Sequence, residues 1–261
     1  MNIYLYELKA NRKFAITWII TMICIVFFLA LFFPSFANDV DDFAKIMSNL
    51  PASIQSALGM NPKTIGTILG YYAFVLTILT ICGAMEAMLL GLSILSKEIR
   101  AKTADFLLSK PVSRNQIVAS KLLACLTIIV VSNLIYLLTF YPILLMYTNA
   151  SFPYETYALL TLTVFFIQIM FFTIGALISV IVSKVKAILP LSLGIVFGIY
   201  LLSTFSDEKL RALLPFKYFN IPEILQKSSY EFKYVWLALG IAAISVILTF
   251  VIYKKKDIQA V

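Results

Sequence analysis

The sequence lacks histidine and has little cysteine, two residue types on which many enzymes depend. It contains no histidine, which removes the commonest general base, the commonest metal ligand and the usual pH switch. Its three cysteines, Cys24, Cys82 and Cys125, lie inside apolar runs at unrelated spacings, so they indicate neither a disulfide framework nor a zinc site. We therefore predict no catalytic residue and no metal site in this chain.

Charged residues are also scarce. They make up 13% of the 261 residues, whereas hydrophobic residues make up 61%, and the mean hydropathy is +0.95. A soluble domain is about a quarter charged and about half apolar. The apolar residues here form long uncharged runs, whereas a soluble core would space them between polar residues. The composition therefore predicts a protein whose solvent is lipid.

Six apolar stretches are long enough to cross a bilayer, which takes about 20 helical residues. They are 14–33, 68–96, 122–147, 157–183, 187–205 and 234–253. The first is longer than the apolar core of a cleavable signal peptide, about 7 to 15 residues, and this favours a permanent span. The predicted fold class is an all-α membrane protein, in which residues 1–261 form one transmembrane domain with six transmembrane helices.

The first 13 residues carry an amphipathic pattern of their own. Met1, Tyr4, Leu5 and Leu8 follow the spacing of one helical face, and Glu7 lies off that stripe. The pattern predicts a short N-terminal interfacial helix over 1–13. Packing of the same stripe against the rest of the protein explains it equally well.

The distribution of lysine and arginine predicts the orientation. With six spans and a cytoplasmic start, 14 of the 21 basic residues fall in segments on the cytoplasmic side. Cytoplasmic loops retain positive charge in membrane proteins. Both termini are therefore predicted to be cytoplasmic, and the net charge of +8 reflects topology and requires no nucleic-acid partner.

The segment 97–121, between the second and third spans, predicts two helices joined by a sharp turn. Residues 97–109 contain no glycine or proline and can continue the second span as helix. Pro111 prevents further helix. Ser113 and Gln116 have the spacing of a capping box, which predicts the start of the helix that enters the third span.

Three apolar residues interrupt this charged segment, namely Phe106, Leu107 and Leu108. They are exposed to water unless they pack on the membrane surface or on another protein. Composition alone does not distinguish a partner from the lipid headgroups.

The same segment resembles a sequence pattern of ATP-binding-cassette (ABC) permeases of the second exporter type. That pattern reads Glu, Gly-Thr-Leu-Glu, Leu-Leu-Ser, Pro-Val-Ser-Arg and Lys. The residues that carry the resemblance are Glu98, Thr103, Asp105, Leu107, Leu108, Pro111, Val112, Ser113, Arg114, Ile117 and Lys121. The six spans and the stretch 214–219 extend it weakly over the chain. The sequence departs from the pattern at Lys102, where the family has glycine, and at Asp105, where it has glutamate.

The resemblance implies that this loop is a cytoplasmic coupling helix that sits in a groove of a separate ATPase subunit. Leu107 and Leu108 suit an apolar groove, and Arg100 and Arg114 suit carboxylates at its rim. From the resemblance and from the chemistry of the segment, the residues predicted to take part in ATPase coupling are Glu98, Arg100, Thr103, Asp105, Phe106, Leu107, Leu108, Pro111, Arg114 and Lys121.

The resemblance also implies the partners. The chain has no G-x-x-x-x-G-K-[ST] phosphate loop, so ATP and magnesium are expected on the partner ATPase, and we predict no cofactor bound by this chain. An ABC permease of six spans then recruits two copies of a soluble ATPase and pairs with a second permease chain, either identical or a sibling.

Three polar residues within the spans are candidates for a transport pathway or a subunit interface. Glu86 is the one charged residue between Lys63 and Lys97, and a charge at such a position costs several kcal/mol. Asn133 and Gln168 lie in the third and fourth spans. The other interpretation of Glu86 is a neutral carboxyl that is hydrogen-bonded to a neighbouring helix through Asn133 or Gln168.

Small residues in two spans predict close helix packing. Gly83 with Ala87 has the small-xxx-small spacing, and Gly194 with Gly198 is a G-x-x-x-G pair. Either pair suits packing within the chain or packing between subunits.

The sequence as a whole predicts a non-enzymatic permease subunit of an ABC exporter in a bacterial plasma membrane. Its predicted cargo is a hydrophobic or amphipathic compound such as a peptide, a drug or a lipid-like molecule. One alternative is a proton-coupled secondary transporter that uses Glu86, although such proteins normally carry more intramembrane ionisable groups and an internal repeat. The other is a membrane scaffold or sensor linked to an ATPase, for which a dedicated domain outside the membrane is expected.

Overall fold

The computed structural model of the protein describes residues 3–51, 54–55, 58, 64–100, 112–147, 152–182 and 187–255. Within these ranges the secondary structure is helical, and there is no strand. The α-helices are α1 (Ile3–Leu31), α2 (Phe33–Asn38), α3 (Val40–Ser48), α4 (Ile68–Arg100), α5 (Arg114–Leu145), α6 (Tyr154–Ile181), α7 (Ile188–Phe205), α8 (Ile221–Lys227) and α9 (Phe232–Lys255). Two short 3-10 helices, Glu208–Leu213 and Pro215–Lys217, precede α8.

In the described ranges, six helices are long and apolar enough to cross a membrane. They are α1 continued by α2, then α4, α5, α6, α7 and α9. These helices overlap the six predicted stretches over most of their length, and the predicted all-α membrane fold is confirmed.

The N-terminal helix differs from its prediction. α1 runs without a break from Ile3 to Leu31, so the predicted interfacial segment forms its first turns. Leu5 is 58% exposed, whereas Glu7 is only 1% exposed. Glu7 therefore lies on the buried face of this segment, where it has charged partners on neighbouring helices. The position of the membrane surface along α1 stays a prediction.

α4 and α6 form the most extensive helix contact, with backbones that approach closely at glycines. A β-carbon placed on Gly91 would lie 2.3 Å from the carbonyl oxygen of Phe172, and one on Gly175 would lie 3.0 Å from that of Met88. A β-carbon on Gly83 would lie 2.9 Å from a methyl group of α6. Around this pair, α1 packs on α5, α9 packs on α6, and α7 packs on α4. Close packing at the small residues of the second span is therefore confirmed.

Replacing Gly91 with alanine is expected to destabilise the bundle, because the new methyl group would collide with backbone atoms of α6. Relief of that collision requires the two helices to move apart. Overpacking of this kind costs about 1 to 3 kcal/mol. The matched control is Gly194→Ala in α7, where no described atom apart from the adjacent backbone of α7 lies within 4 Å of the added carbon. The measurement is the temperature at which the detergent-extracted protein loses its monodisperse size-exclusion peak. If both variants lost the monodisperse peak at the same temperature, α4 and α6 would be able to move apart at Gly91 without a loss of stability.

One end of the bundle is defined by contacts between residues far apart in sequence. Glu7 contacts Lys97 near the end of α4 and Lys121 near the start of α5. Arg114 at the start of α5 contacts Lys254 near the end of α9. The start of α1, the end of α4, the start of α5 and the end of α9 are therefore together, and we call this the Glu7 end.

The opposite end carries aromatic side chains. The ring centroids of Tyr72 and Tyr157 are 5.7 Å apart, and those of Tyr141 and Tyr157 are 5.2 Å apart. These residues join the start of α4, the end of α5 and the start of α6. Tyrosine clusters are typical of the region where a membrane protein meets the headgroups. We call this the Tyr157 end.

Candidate functional site

The predicted coupling segment leaves and re-enters the bundle at the Glu7 end. α4 continues to Arg100, and α5 begins at Arg114. The predicted capping box is confirmed, since the amide N–H of Gln116 donates to Ser113 Oγ at 3.2 Å, and the amide N–H of Ser113 donates to Gln116 Oε1 at 3.0 Å. A rigid helix start therefore follows the segment.

Most of the predicted coupling residues lie outside the part of the chain that the structure describes. This applies to Thr103, Asp105, Phe106, Leu107, Leu108 and Pro111, and to the side chains of Glu98 and Arg100. Their roles stay predictions. The two coupling residues with described side chains are Arg114 and Lys121.

Arg114 joins the first turn of α5 to the last turn of α9. Its Nη1 donates to the carbonyl oxygen of Lys254 at 3.1 Å. The last carbonyls of a helix have no partner within the helix, and a cation beside them is favourable. At least one N–H donor of Arg114 therefore forms a hydrogen bond within the chain. The predicted contact of Arg114 with an ATPase stays a prediction.

Lys121 is buried and belongs to a cluster of three charged groups. Its Nζ donates to Glu7 Oε1 at 2.7 Å and to the carbonyl oxygen of Ile94 at 3.0 Å. Lys97 Nζ donates to Glu7 Oε2 at 3.0 Å. Asn11 Nδ2 lies 3.4 Å from that same oxygen. We call Glu7, Lys97 and Lys121 the Glu7 triad, and it connects α1, α4 and α5.

The three members of the Glu7 triad differ in their exposure. The side chains of Glu7 and Lys121 are 2% and 1% exposed, whereas that of Lys97 is 34% exposed. A buried charge is tolerated only when it is paired and hydrogen-bonded. Since Lys121 is enclosed in this way, any part that it has in coupling acts through the position of helices. A direct contact of its side chain with an ATPase would require the triad to open.

The three polar candidates within the spans form one buried chain of hydrogen bonds. Gln168 Nε2 donates to Glu86 Oε2 at 2.9 Å, and Asn133 Nδ2 donates to Gln168 Oε1. Asn133 Nδ2 also donates to the carbonyl oxygen of Ile129 at 2.8 Å. Glu86, Gln168 and Asn133 lie on α4, α6 and α5, so the chain links three helices. The predicted hydrogen bond between Glu86 and a neighbouring helix is confirmed.

The polar chain retains two buried oxygens with no hydrogen-bond partner among the described residues. They are Glu86 Oε1 and Asn133 Oδ1. Glu86 itself is 0% exposed. A buried charge and a buried acceptor without a donor are both costly, and protonation of the Glu86 carboxyl would remove the charge. Whether this group also faces a transport pathway or a subunit interface stays a prediction.

A second charged cluster lies near the start of α9 and was not predicted from sequence. Arg211 donates to Glu231 Oε1 at 2.8 Å and to the carbonyl oxygen of Lys217 at 2.9 Å, and it lies 3.9 Å from Glu223. Its guanidinium carbon is 4.1 Å from the ring centroid of Tyr234, which is a cation–π geometry. This cluster fixes the short helices that precede α9.

A cavity of about 180 Å³ adjoins the Arg211 cluster. Its lining includes Tyr218, Glu223, Lys227 and Tyr230. The hydrogen bond from Lys227 holds the pKa of the Glu223 carboxyl below its usual value, with a smaller contribution from Arg211. Glu223 is therefore ionised at neutral pH, and the cavity wall carries charges of both signs.

The sequence interpretation missed the role of Glu7 in particular. It treated Glu7 as a polar residue off the apolar stripe, because its partners Lys97 and Lys121 are 90 and 114 positions away. The available signal was a single acid among the basic residues Lys9 and Arg12. An acid at a strongly basic helix terminus is a candidate for a buried ion pair.

Comparison with known proteins identifies the family of the chain. A family model described as "ABC-2 family transporter protein" matches residues 1–258. A search of curated proteins finds no match to the chain. The family model spans nearly the whole sequence, including all six candidate spans and the predicted coupling segment between α4 and α5. The chain therefore belongs to the ABC-2 family of transporter permeases.

Proposed function

We propose that this chain is the membrane subunit of an ATP-driven exporter that moves a hydrophobic or amphipathic compound out of the cell. A peptide, a drug or a lipid-like molecule fits this description. The observation that carries the proposal is the family match over residues 1–258. The chain lacks a phosphate-binding loop, so the energy must come from a separate ATPase subunit.

The proposed orientation puts the Glu7 end in the cytoplasm of a bacterial cell, with the protein in its plasma membrane. Its support is the basic charge of that end, where α1 carries Lys9, Arg12 and Lys13 and α9 ends at Lys254 and Lys255. Positive residues concentrate on the cytoplasmic side of membrane proteins. An even number of spans then gives both termini the same side.

The proposed coupling element is the segment between α4 and α5. Both helices are long, with 33 and 32 residues. Each helix therefore connects one end of the segment directly to a membrane span. A rigid helix transmits a tilt or a shift over its whole length. In the proposal, Phe106, Leu107 and Leu108 fill an apolar groove of the ATPase.

The proposed assembly contains two ATPase copies and a second permease chain, either identical or a sibling. Its support within the chain is the open surface of α7. Gly194 and Gly198 have no described atom within 4 Å of an added β-carbon. A G-x-x-x-G pair permits close approach of another helix. A second permease chain is one occupant of that surface, and lipid is the other.

The experiment that tests the proposal is affinity copurification from the native membrane, followed by ATPase assay. Wild type is compared with the double variant Leu107→Asp, Leu108→Asp, which places two charges in the proposed apolar contact. We expect wild type to bring down a soluble ATPase, and the variant to lose it while still inserting in the membrane.

The matched control for this experiment is Leu210→Asp, Leu213→Asp. These leucines are also exposed, on the 3-10 helix after α7, and the control should retain the ATPase. If wild type brings down no ATPase under gentle conditions, the proposal fails. The proton-coupled alternative through Glu86 then becomes the leading hypothesis.

A further inference from the structure

The Glu7 triad lies at the two points where the proposed coupling segment joins the bundle. Lys97 lies in the last turn of α4, which ends at Arg100, and Lys121 lies in the second turn of α5, which begins at Arg114. The carboxylate of Glu7 is bonded to both ammonium groups at once. One side chain of α1 therefore bonds to both helices that flank the segment.

A second contact shows that α1 is fixed to α5 along this region. The hydroxyl groups of Tyr4 and Thr127 are 3.0 Å apart. By contrast, much of the remaining surface of α1 is exposed, including Ile16, Ile20 and Phe28. Within the described residues, α1 has its main contact with α5 and a smaller contact with α4. At the Glu7 triad, one side chain of α1 contacts both helices.

We propose that Glu7 is a positioning residue for coupling, which binds α1, α4 and α5 into one unit at the base of the coupling segment. When the ATPase displaces that segment, the three helices then move together. This inference rests on the proposed function. It assigns to α1 a part in transmission that neither the family match nor the coupling pattern contains.

The physical reason is the environment of the carboxylate. In an enclosed site of low dielectric constant, charge-assisted hydrogen bonds are stronger than in water, and loss of one partner leaves a charge uncompensated. Rotation of α1 away from α5 would break the bond from Lys121, whose side chain is 1% exposed. Separation of α4 from α5 would break the bond from Lys121 to the carbonyl oxygen of Ile94, and separation of α4 from α1 would break the bond from Lys97 to Glu7. Relative motion of the three helices is therefore opposed at one point.

The test measures both rigidity and ATP turnover. Spin labels are placed at Leu5→Cys on α1 and Leu123→Cys on α5, both exposed positions beside the triad, after Cys24 and Cys82 are replaced with alanine. The separation of the labels is measured in the wild-type background, in Glu7→Gln, in Glu7→Asp and in Arg12→Gln. Arg12 is exposed on the same helix and serves as the matched control.

We expect Glu7→Gln to broaden the distribution of label separations, while Glu7→Asp and Arg12→Gln keep it narrow. In the purified complex, Glu7→Gln should still retain the ATPase but lower ATP turnover by about fivefold or more, the lower bound of a typical coupling effect. Glu7→Asp, which keeps the charge, should restore part of the turnover. Retention of the ATPase distinguishes this effect from that of the Leu107→Asp, Leu108→Asp variant.

Two results would overturn the inference. The first is a narrow, wild-type distribution of label separations in Glu7→Gln, which is measurable in the permease alone even if no ATPase partner exists. The second is a broadened distribution with unchanged ATP turnover, which would make the triad a packing feature without a part in coupling. Failure of the proposed function appears separately, as absence of an ATPase from the wild-type preparation.

Discussion

Replacing Lys121 with methionine is expected to lower the free energy of unfolding by about 3 to 5 kcal/mol, because it removes one partner from a buried ion pair. Glu7 would then retain Lys97 and Asn11, while its Oε1 loses the bond from Lys121 in an enclosed site. Methionine is close to lysine in length, so the loss of volume is small. The charge of Glu7, left poorly compensated, accounts for the effect.

The measurement is thermal unfolding of the detergent-extracted protein, monitored as the fraction of the protein that remains monodisperse. Two further variants act as controls. Lys97→Met removes the other partner, whose side chain is 34% exposed, and should cost only about 1 kcal/mol or less, as for a pair near the surface. The double variant Glu7→Gln, Lys121→Met removes both charges and should be more stable than Lys121→Met alone. If Lys121→Met and Lys97→Met are equally mild, water reaches Glu7 and the triad is not an enclosed site.

The transmembrane fold was largely predictable because its signal is local. A run such as 122–147 has no charge, and in lipid only a helix can satisfy its backbone groups. α5 is found at Arg114–Leu145, so the helix begins eight residues before the predicted apolar span and at the start that the capping box predicted. The charged residues in those first turns hid the helix from a search for apolar runs, although the capping box at Ser113 marked its true beginning.

The candidate site was predictable only where its partners are close in sequence. Ser113 and Gln116 are three residues apart, and their capping box was found. Glu86, Asn133 and Gln168 were identified because polar residues are rare inside apolar runs, and a bond from Glu86 to Asn133 or Gln168 was among the interpretations, whereas the bond between Asn133 and Gln168 was not predicted. Glu7 was missed because an acid among basic residues at a helix terminus has an ordinary surface interpretation.

The two pairs of small residues show a further limit of sequence reasoning. Gly83 packs against α6 within the chain, whereas Gly194 and Gly198 face open space. The pair Gly83 with Ala87 and the pair Gly194 with Gly198 have the same type of spacing, so the sequence could not distinguish an internal contact from an external surface. The difference depends on which helices are neighbours, and that follows from the whole fold.

Replacing Gln168 with leucine is expected to be the most damaging change among the polar residues of the spans. The side chain of Gln168 both donates to Glu86 and accepts from Asn133, so its loss deprives two buried groups of a partner on a neighbouring helix. Each deprived group costs about 1 to 3 kcal/mol, compared with about 0.6 kcal/mol for an average hydrogen bond between membrane helices. We expect a clear drop in the temperature of the monodisperse-to-aggregated transition.

Two companion variants make this last prediction specific. Ser192→Ala removes a buried hydroxyl that, among the described residues, donates within its own helix to the carbonyl oxygen of Ile188, and it should change little. Glu86→Gln keeps an acceptor for Gln168 and should retain most of the stability if the carboxyl is already neutral. A severe loss in Glu86→Gln would instead show that the charge itself is required, and the polar chain would then be a site for a cation or a proton rather than a link between α4, α5 and α6.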